Sequence, residues 1–220
     1  MEALVRWPHP EEGMISPTEF IPIAEATGLI MPLGEYVLRK VCNQICSWGD
    51  MGLDGFRVAV NFCGRQFETD VSALVRETMT TSGIRPSTLT IGITEGLRMK
   101  NVEHYSTMLE DLRCLGVNIS MDDFGTGYSL LSYLKRFPLT NLKIVRSFIE
   151  DLHVDEDDRE ITKAIIAMGQ SLNLASLAEG VENEEQLEIL RGYGSDYIQG
   201  YYYSKLMPAA EMTEYLHNLG

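Results

Sequence analysis

The stretch Ile119-Ser120-Met121-Asp122-Asp123-Phe124-Gly125-Thr126-Gly127-Tyr128-Ser129 carries a β-type apolar segment into two adjacent acids and then into a Gly-x-Gly turn. An acid at the end of a buried strand is costly unless a cation meets it there. Glycine in the turn lets the backbone approach a ligand closely. A tight turn with an aspartate cap would read the same way if it stood alone. It does not stand alone. Glu2 in MEALVRW, Asn61 in VAVNF, Glu95 in TIGITEG, and Glu179 and Glu182 in LAEGVENEEQ each put an acid or amide beside an apolar run. Repeating that cost strand after strand points to polar groups converging on one oxygen-rich pocket for divalent metal, at the mouth of an α/β barrel.

Working outward, strand-like segments fall near 2–6, 56–62, 89–94, 117–121, 141–145, 174–178 and 196–199. Helical patterns separate most of them. Ser16-Pro17-Thr18-Glu19 reads as a capping box with proline at the first helical position, so a helix starts there. A second helix near 33–48 places Val37, Leu38, Val41, Ile45 and Trp48 on one stripe. Further helices are expected near 68–82, 102–115, 157–172, 183–193 and 208–218, the fourth of these opened by Asn183 with Gln186 three residues on. Mostly apolar strands alternating with helices indicate a parallel sheet covered on both faces. A doubly wound open sheet gathers ligands at one switch point, whereas polar residues here end nearly every strand. That favours the barrel. An eight-stranded barrel usually takes about 250 residues, and this chain starts inside its first strand, so a first helix and strand are expected to be missing.

Composition narrows the function. A net charge of −14 argues against nonspecific binding to duplex DNA or to anionic lipid. An anionic small ligand would need bound cations, or a few well-placed Arg and Lys residues, to approach. No apolar run nears the roughly 20 residues that span a bilayer, and Glu2 and Arg6 interrupt the first segment, unlike a secretory signal. Cys42, Cys46, Cys63 and Cys114 form no CxxC pair and read as buried small hydrophobes in a reducing cytosol. His9, His104, His153 and His217 share no metal spacing and read as surface residues. The run Asp155–Asp158 reads as solvated charge at a helix start.

Barrel enzymes build their sites at the C-terminal ends of the strands, and Glu2, Asn61, Asp122, Lys143, Glu179 and Gln199 fall at or near such positions. Carboxylate and amide oxygens without clustered His or Cys suit Mg²⁺ or Mn²⁺, not zinc. Asp122 and Asp123 can serve two ions between them, one residue pointing inward and the next sitting on the loop. Two such ions about 3.5–4 Å apart activate water and neutralise a phosphodiester. Lys143, the single cation at a strand end, would orient that water or stabilise charge on the phosphate. Tyr201-Tyr202-Tyr203 could stack on a base, although core or rim packing is the expected role of at least two of the three.

With these residues in view, the chain resembles the EAL family of cyclic di-GMP phosphodiesterases. MEALVRW, SPTEFIPIAEATGLI, VAVNF-GRQF, ITEG, MDDFGTGYS, LKI-RSFI, LAEGVE and QGYYYS occur in the family's order and spacing. The resemblance implies a TIM-like (β/α)8 barrel of the EAL type with one antiparallel strand, and one domain over residues 1–220 that is a fragment of a longer multidomain signalling protein. It implies Mg²⁺- or Mn²⁺-dependent hydrolysis of cyclic di-GMP to linear pGpG, with up to two ions, in the bacterial cytoplasm. It also implies a homodimer and a fused or associated sensory, receiver or GGDEF domain, with no nucleic acid polymer and no membrane contact. By motif, Glu2, Asn61, Asp122, Asp123 and Glu179 resemble metal ligands, and Lys143 resembles the catalytic lysine. Glu179 and Glu182 belong with Lys143 in the catalytic cluster. Leu4, Arg6, Gln199 and Tyr201 resemble ligand contacts, Arg6 to a phosphate, and Glu95 resembles the glutamate that steadies the DDFGTGYS loop.

Three departures from the family's pattern stand out. The strand that reads Leu-Glu-Ile-Thr-Glu in the family, its first Glu a metal ligand, reads Ile91-Gly92-Ile93-Thr94-Glu95 here. The family's LKID reads Lys143-Ile144-Val145 after Leu142, so the acid beside the lysine is a valine. The polar strand that precedes EAL in the family is absent. Cys63 for Ser and Leu206 for Pro are smaller changes. Altering the partners of metal ligands costs about 10–100-fold in affinity or activity, so weak or absent hydrolysis is expected even where the nucleotide still binds. A non-catalytic cyclic di-GMP receptor and a protein-interaction module are the alternatives.

Overall fold

Strands in this chain are short and mostly buried, and helices follow them in turn, as the hydrophobic pattern requires. A computed structural model describes residues 1–94, 102–124, 134 and 136–219. The chain divides into two compact units, the first comprising residues 1–92 and 96–117, the second residues 93–95 and 118–220.

The first unit opens with an antiparallel hairpin, β1 (Trp7–His9) and β2 (Gly13–Ile15), paired Trp7 to Ile15. Helices α1 (Pro17–Thr27) and α2 (Ile30–Asp50), strand β3 (Val58–Phe62), a 3-10 turn at Gln66–Glu68, helix α3 (Val71–Ser82), strand β4 (Leu89–Ile93) and helix α4 (Val102–Cys114) follow. The segment expected as a strand at 2–6 makes only one parallel bridge, Glu2 to Ala59. Its neighbouring residues Leu4 and Arg6 are exposed, so the apolar letters there do not build a buried ladder. The hairpin went unforeseen because Trp7-Pro8-His9 and Gly13-Met14-Ile15 are too short to show a period. Trp7 lies edge-on to Phe20 at 5.6 Å, which ties the hairpin to α1.

Helix α2 begins three residues before the expected start at 33, because Leu29 is already helical directly after the left-handed Gly28 that ends α1. Leu38, Ile45 and Trp48 of its predicted stripe are buried, with Cys42 beside them, while Val37 and Val41 are half-buried. Ser16 caps α1 by accepting from the Thr18 amide at 3.3 Å. Asp70 caps α3, so the helix expected from 68 starts at 71, after the 3-10 turn. The cysteines do not all behave as buried hydrophobes: Cys42 is buried, Cys46 and Cys63 are half-buried, and Cys114 is exposed. Burial pushes the Cys42 thiol up to about 11.

In the second unit β5 (Asn118–Phe124), β6 (Asn141–Ile144), β7 (Ala175–Glu179) and β8 (Tyr197–Gln199) lie side by side in that order, all parallel. Their helices are α5 (Ser147–Glu150), α6 (Glu156–Ser171), α7 (Glu184–Tyr193) and α8 (Ala209–Leu219). Leu142, Ile144, Ile166, Ala178, Leu187 and Leu190 form the buried interior. The run Asp155–Asp158 is a helix start, as expected: Asp155 Oδ1 accepts from the amides of Asp157 and Asp158 at 2.8 and 3.2 Å. The Asn183–Gln186 box forms in both directions. Asn183→Ala is expected to lower stability by about 1 kcal/mol, read as a shift in the urea midpoint with an unchanged slope.

Candidate functional site

Two groups of the expected site residues come together, one in each unit. In the first unit, the Glu2–Ala59 bridge sets the N-terminal segment beside β3. From there the Asn61 side-chain amide donates to Glu2 Oε1 at 2.7 Å. Leu4 is 42% exposed, and the exposed Arg6 guanidinium donates to its neighbour's carbonyl at Val5. Gly92 is buried within β4, every residue of which is buried, and it brings no side chain. Burial raises the pKa of the half-buried Cys63 thiol, just past β3.

The second unit holds a tighter group. Ser120 pairs with Asn141, Met121 with Leu142, and Phe124 with Ile144, so two residues of β5, Asp122 and Asp123, stand opposite the single residue Lys143. This is a β-bulge, which bends the strand and re-aims side chains. Asp123 sits at φ 57°, a left-handed conformation that asparagine and aspartate tolerate best among side-chain-bearing residues. Asp122 is buried and Asp123 exposed. Asp123 thus lies within the strand at its bulge, not on the loop where the sequence had placed it.

Lys143 occupies the centre. Its ammonium lies 3.0 Å from Asp122 Oδ2 and 2.5 Å from Glu179 Oε1, joining the ends of β5, β6 and β7. Ser120 Oγ donates to Asp122 Oδ1 at 3.2 Å. Each member of this group has an oppositely charged partner within 3.0 Å, without which burying the charge would be costly. Two carboxylates against one ammonium leave the group net negative, and exposed Asp123 adds to that. Among the described residues no three His, Cys, Asp or Glu side chains form a ready-made metal cluster. Within the second unit the physical reason is visible: Lys143 stands between the buried Asp122 and the half-buried Glu179.

Glu182 lies outside this triad. It pairs with Arg146 at 3.0 Å, and Arg146 also reaches Glu150 at 3.5 Å. Gln199 is in register with Glu179 across β7 and β8. Tyr201, Tyr202 and Tyr203 are 48%, 40% and 49% exposed, so none of the three packs into a core. Glu95 and the Gly125–Ser129 turn lie outside the described residues.

Sequence reasoning missed Ser120, Arg146, Gly180 and Gly200. Ser120 was legible as the residue two before Asp122, on the same face of the strand. The glycines were not, because their need is set by distant neighbours. A Cβ at Gly200 would sit 2.1 Å from the Val181 carbonyl oxygen, and one at Gly180, φ +78°, would strike the Arg146 stem at 2.4 Å.

The family model for the EAL domain matches residues 1–206. The bifunctional diguanylate cyclase/cyclic di-GMP phosphodiesterase MucR of Pseudomonas aeruginosa is 44% identical over 96% of this chain and 31% of its own length. The cyclic di-GMP phosphodiesterase NbdA of the same organism is 44% identical over 98% of the chain and 28% of its own length. A solved structure of the PaMucR phosphodiesterase in its c-di-GMP complex superposes with a TM-score of 0.91 at 44% identity, covering 96% of this chain and 86% of that one. The fold is therefore α/β, of the TIM-like barrel class that EAL domains share. The chain belongs to the EAL domain family, and it spans about 30% of the length of the curated relatives it matches. Among the described residues, no helix is long and apolar enough to cross a membrane.

Proposed function

We propose that this domain binds cyclic di-GMP and retains at most a weak, metal-dependent hydrolysis of it to linear pGpG. The observation that carries the reading is Lys143, buried and bridging Asp122 and Glu179 at the ends of three successive parallel strands. Such a group is a poor choice for stability alone, since apolar residues of like volume do as well or better. It gives a phosphodiester both a cation to meet its negative charge and carboxylates to hold further cations. Relatives named as cyclic di-GMP phosphodiesterases supply the substrate class.

The side chains present fit a hard divalent cation in type. Asp122, Asp123 and Glu179 offer carboxylate oxygens, Glu2 and Asn61 a carboxylate and an amide, and no thiol or imidazole competes in the set. We assign these five residues as the oxygen donors for Mg²⁺ or Mn²⁺. A divalent ion bound there would lower the pKa of a coordinated water and neutralise phosphate charge. Lys143 orients the attacked phosphate, and Glu179 holds the nucleophilic water and takes its proton. Glu182, tethered by Arg146, completes the catalytic group from the loop after β7. Arg6 meets a phosphate, while Leu4, Gln199 and Tyr201 contact the nucleotide.

Weakness follows from Gly92, which offers no carboxylate where relatives by motif carry one, and from Val145, which places an isopropyl group next after Ile144. A receptor that binds without cleaving is the second reading, favoured by the same two residues. The working protein is a bacterial cytoplasmic homodimer whose EAL domain acts beside a sensory, receiver or GGDEF domain, consistent with relatives about three times its length. Chromatographic detection of pGpG with excess Mn²⁺ tests the enzyme. Slow product that vanishes in Glu179→Ala supports it, and no product above that control leaves the receptor.

A further inference from the structure

Glu179 is the last residue of β7, and the loop behind it, 180–183, is gripped by a buried side chain that takes no part in the chemistry above. Gln186, on the first turn of α7, is 2% exposed. Its Oε1 accepts from the amides of Glu182 and Asn183 at 2.7 and 3.2 Å. Its Nε2 donates to the carbonyls of Ile149 and Glu150, both at 3.0 Å. Both lone-pair sites and both protons are used, which is the full capacity of a primary amide. The two donors to Oε1 come from the loop after β7, and the two acceptors for Nε2 come from α5, the helix after β6. Gln186 therefore fastens the segment following Glu179 to the segment following Lys143.

A second contact runs the same way: the Arg146 stem covers Gly180, and its guanidinium reaches Glu182. On the far side the turn after β8 closes on the loop, with the Tyr202 amide donating to the Val181 carbonyl at 2.9 Å. An N-cap box needs only the amide of Gln186 and its reach back to Asn183. The two bonds to α5 exceed that requirement.

We propose that Gln186 is a positioning residue that sets the Glu179 carboxylate against the Lys143 ammonium by locking the loop after β7 to helix α5. Its value to hydrolysis rests on the role given to Glu179 above, but the lock itself does not. Two variants separate the parts. Gln186→Met keeps the volume and removes all four bonds. Gln186→Glu keeps the acceptor toward Glu182 and Asn183 and sets an oxygen against the Ile149 and Glu150 carbonyls.

The test is ¹⁵N NMR of lysine ammonium groups in the intact chain, with the exposed pair Lys163–Glu160 as internal reference. In either variant that folds, judged by its amide spectrum, the Lys143 ammonium protons are expected to exchange with water at least about 10-fold faster and their resonance to move, with Lys163 unchanged. An unchanged Lys143 signal, alongside lost protection of the Glu182 and Asn183 amides, overturns the proposal and leaves Gln186 a helix cap. A parallel Mn²⁺ titration is expected to show about 10-fold weaker binding, the scale for disturbing a ligand's support. Absence of Mn²⁺ binding in the wild type would count against the hydrolytic reading while the ammonium signature still decides the lock.

Discussion

Gly92→Glu combined with Val145→Asp is expected to raise the rate of pGpG formation by about 100-fold or more over the wild type. Disturbing one supporting group of a metal site costs about 10–100-fold, and here a direct oxygen donor and an acid beside the lysine strand are both restored. The backbone geometry for the first change already exists, since β4 is a regular buried strand ending at Ile93. A glutamate at 92 is costly in the apo protein, because every residue of that strand is buried and a carboxylate there lacks water. Loss of apo stability together with a gain on adding Mn²⁺ is thus part of the expected result, since a ligand that binds only the native state stabilises it. Thermal melts with and without Mn²⁺, beside the pGpG assay, check both halves. A double variant as slow as the wild type would mean that the impairment lies elsewhere.

Lys143→Met is expected to abolish hydrolysis and to lower stability by about 3–5 kcal/mol, the scale for removing one partner of a buried ion pair. Lys143 and Asp122 are each 4% exposed, so water cannot replace the ammonium. Two carboxylates, Asp122 and Glu179, would then face one another without the cation between them. Adding Asp122→Asn to Lys143→Met should recover part of the lost stability, because it deletes one stranded charge. Equilibrium urea unfolding of the wild type, both single variants and the double gives the coupling directly. Strict additivity of the two single effects would show that the pair is not coupled.

Much of this was legible in the sequence, and the reasons differ by element. Strands β3, β4, β6, β7 and β8 lay within a residue or two of expectation, because continuous apolar runs bounded by helix caps leave few alternatives. Asn183 and Gln186 announced α7 by a spacing that only a helix start requires. The missed hairpin is shorter than any period can reveal. The bulge at Asp122–Asp123 was hidden for another reason: register belongs to a pair of strands, and a single strand's letters do not state it. The bulge sets both adjacent acids opposite the single residue Lys143 in the strand register, Asp122 buried and Asp123 exposed. Lys143 was legible as a strand-end cation, but its bridge between Asp122 and Glu179 was not, nor were Gln186's bonds to α5, which join residues 36 and 37 apart.

Binding and its dependence on metal are read together in one titration: calorimetry of cyclic di-GMP into the 220-residue chain, with and without Mn²⁺. Binding at tens of micromolar nucleotide or tighter, weakened by Arg6→Ala and strengthened by Mn²⁺, is the expected result. No heat of binding under either condition would contradict it.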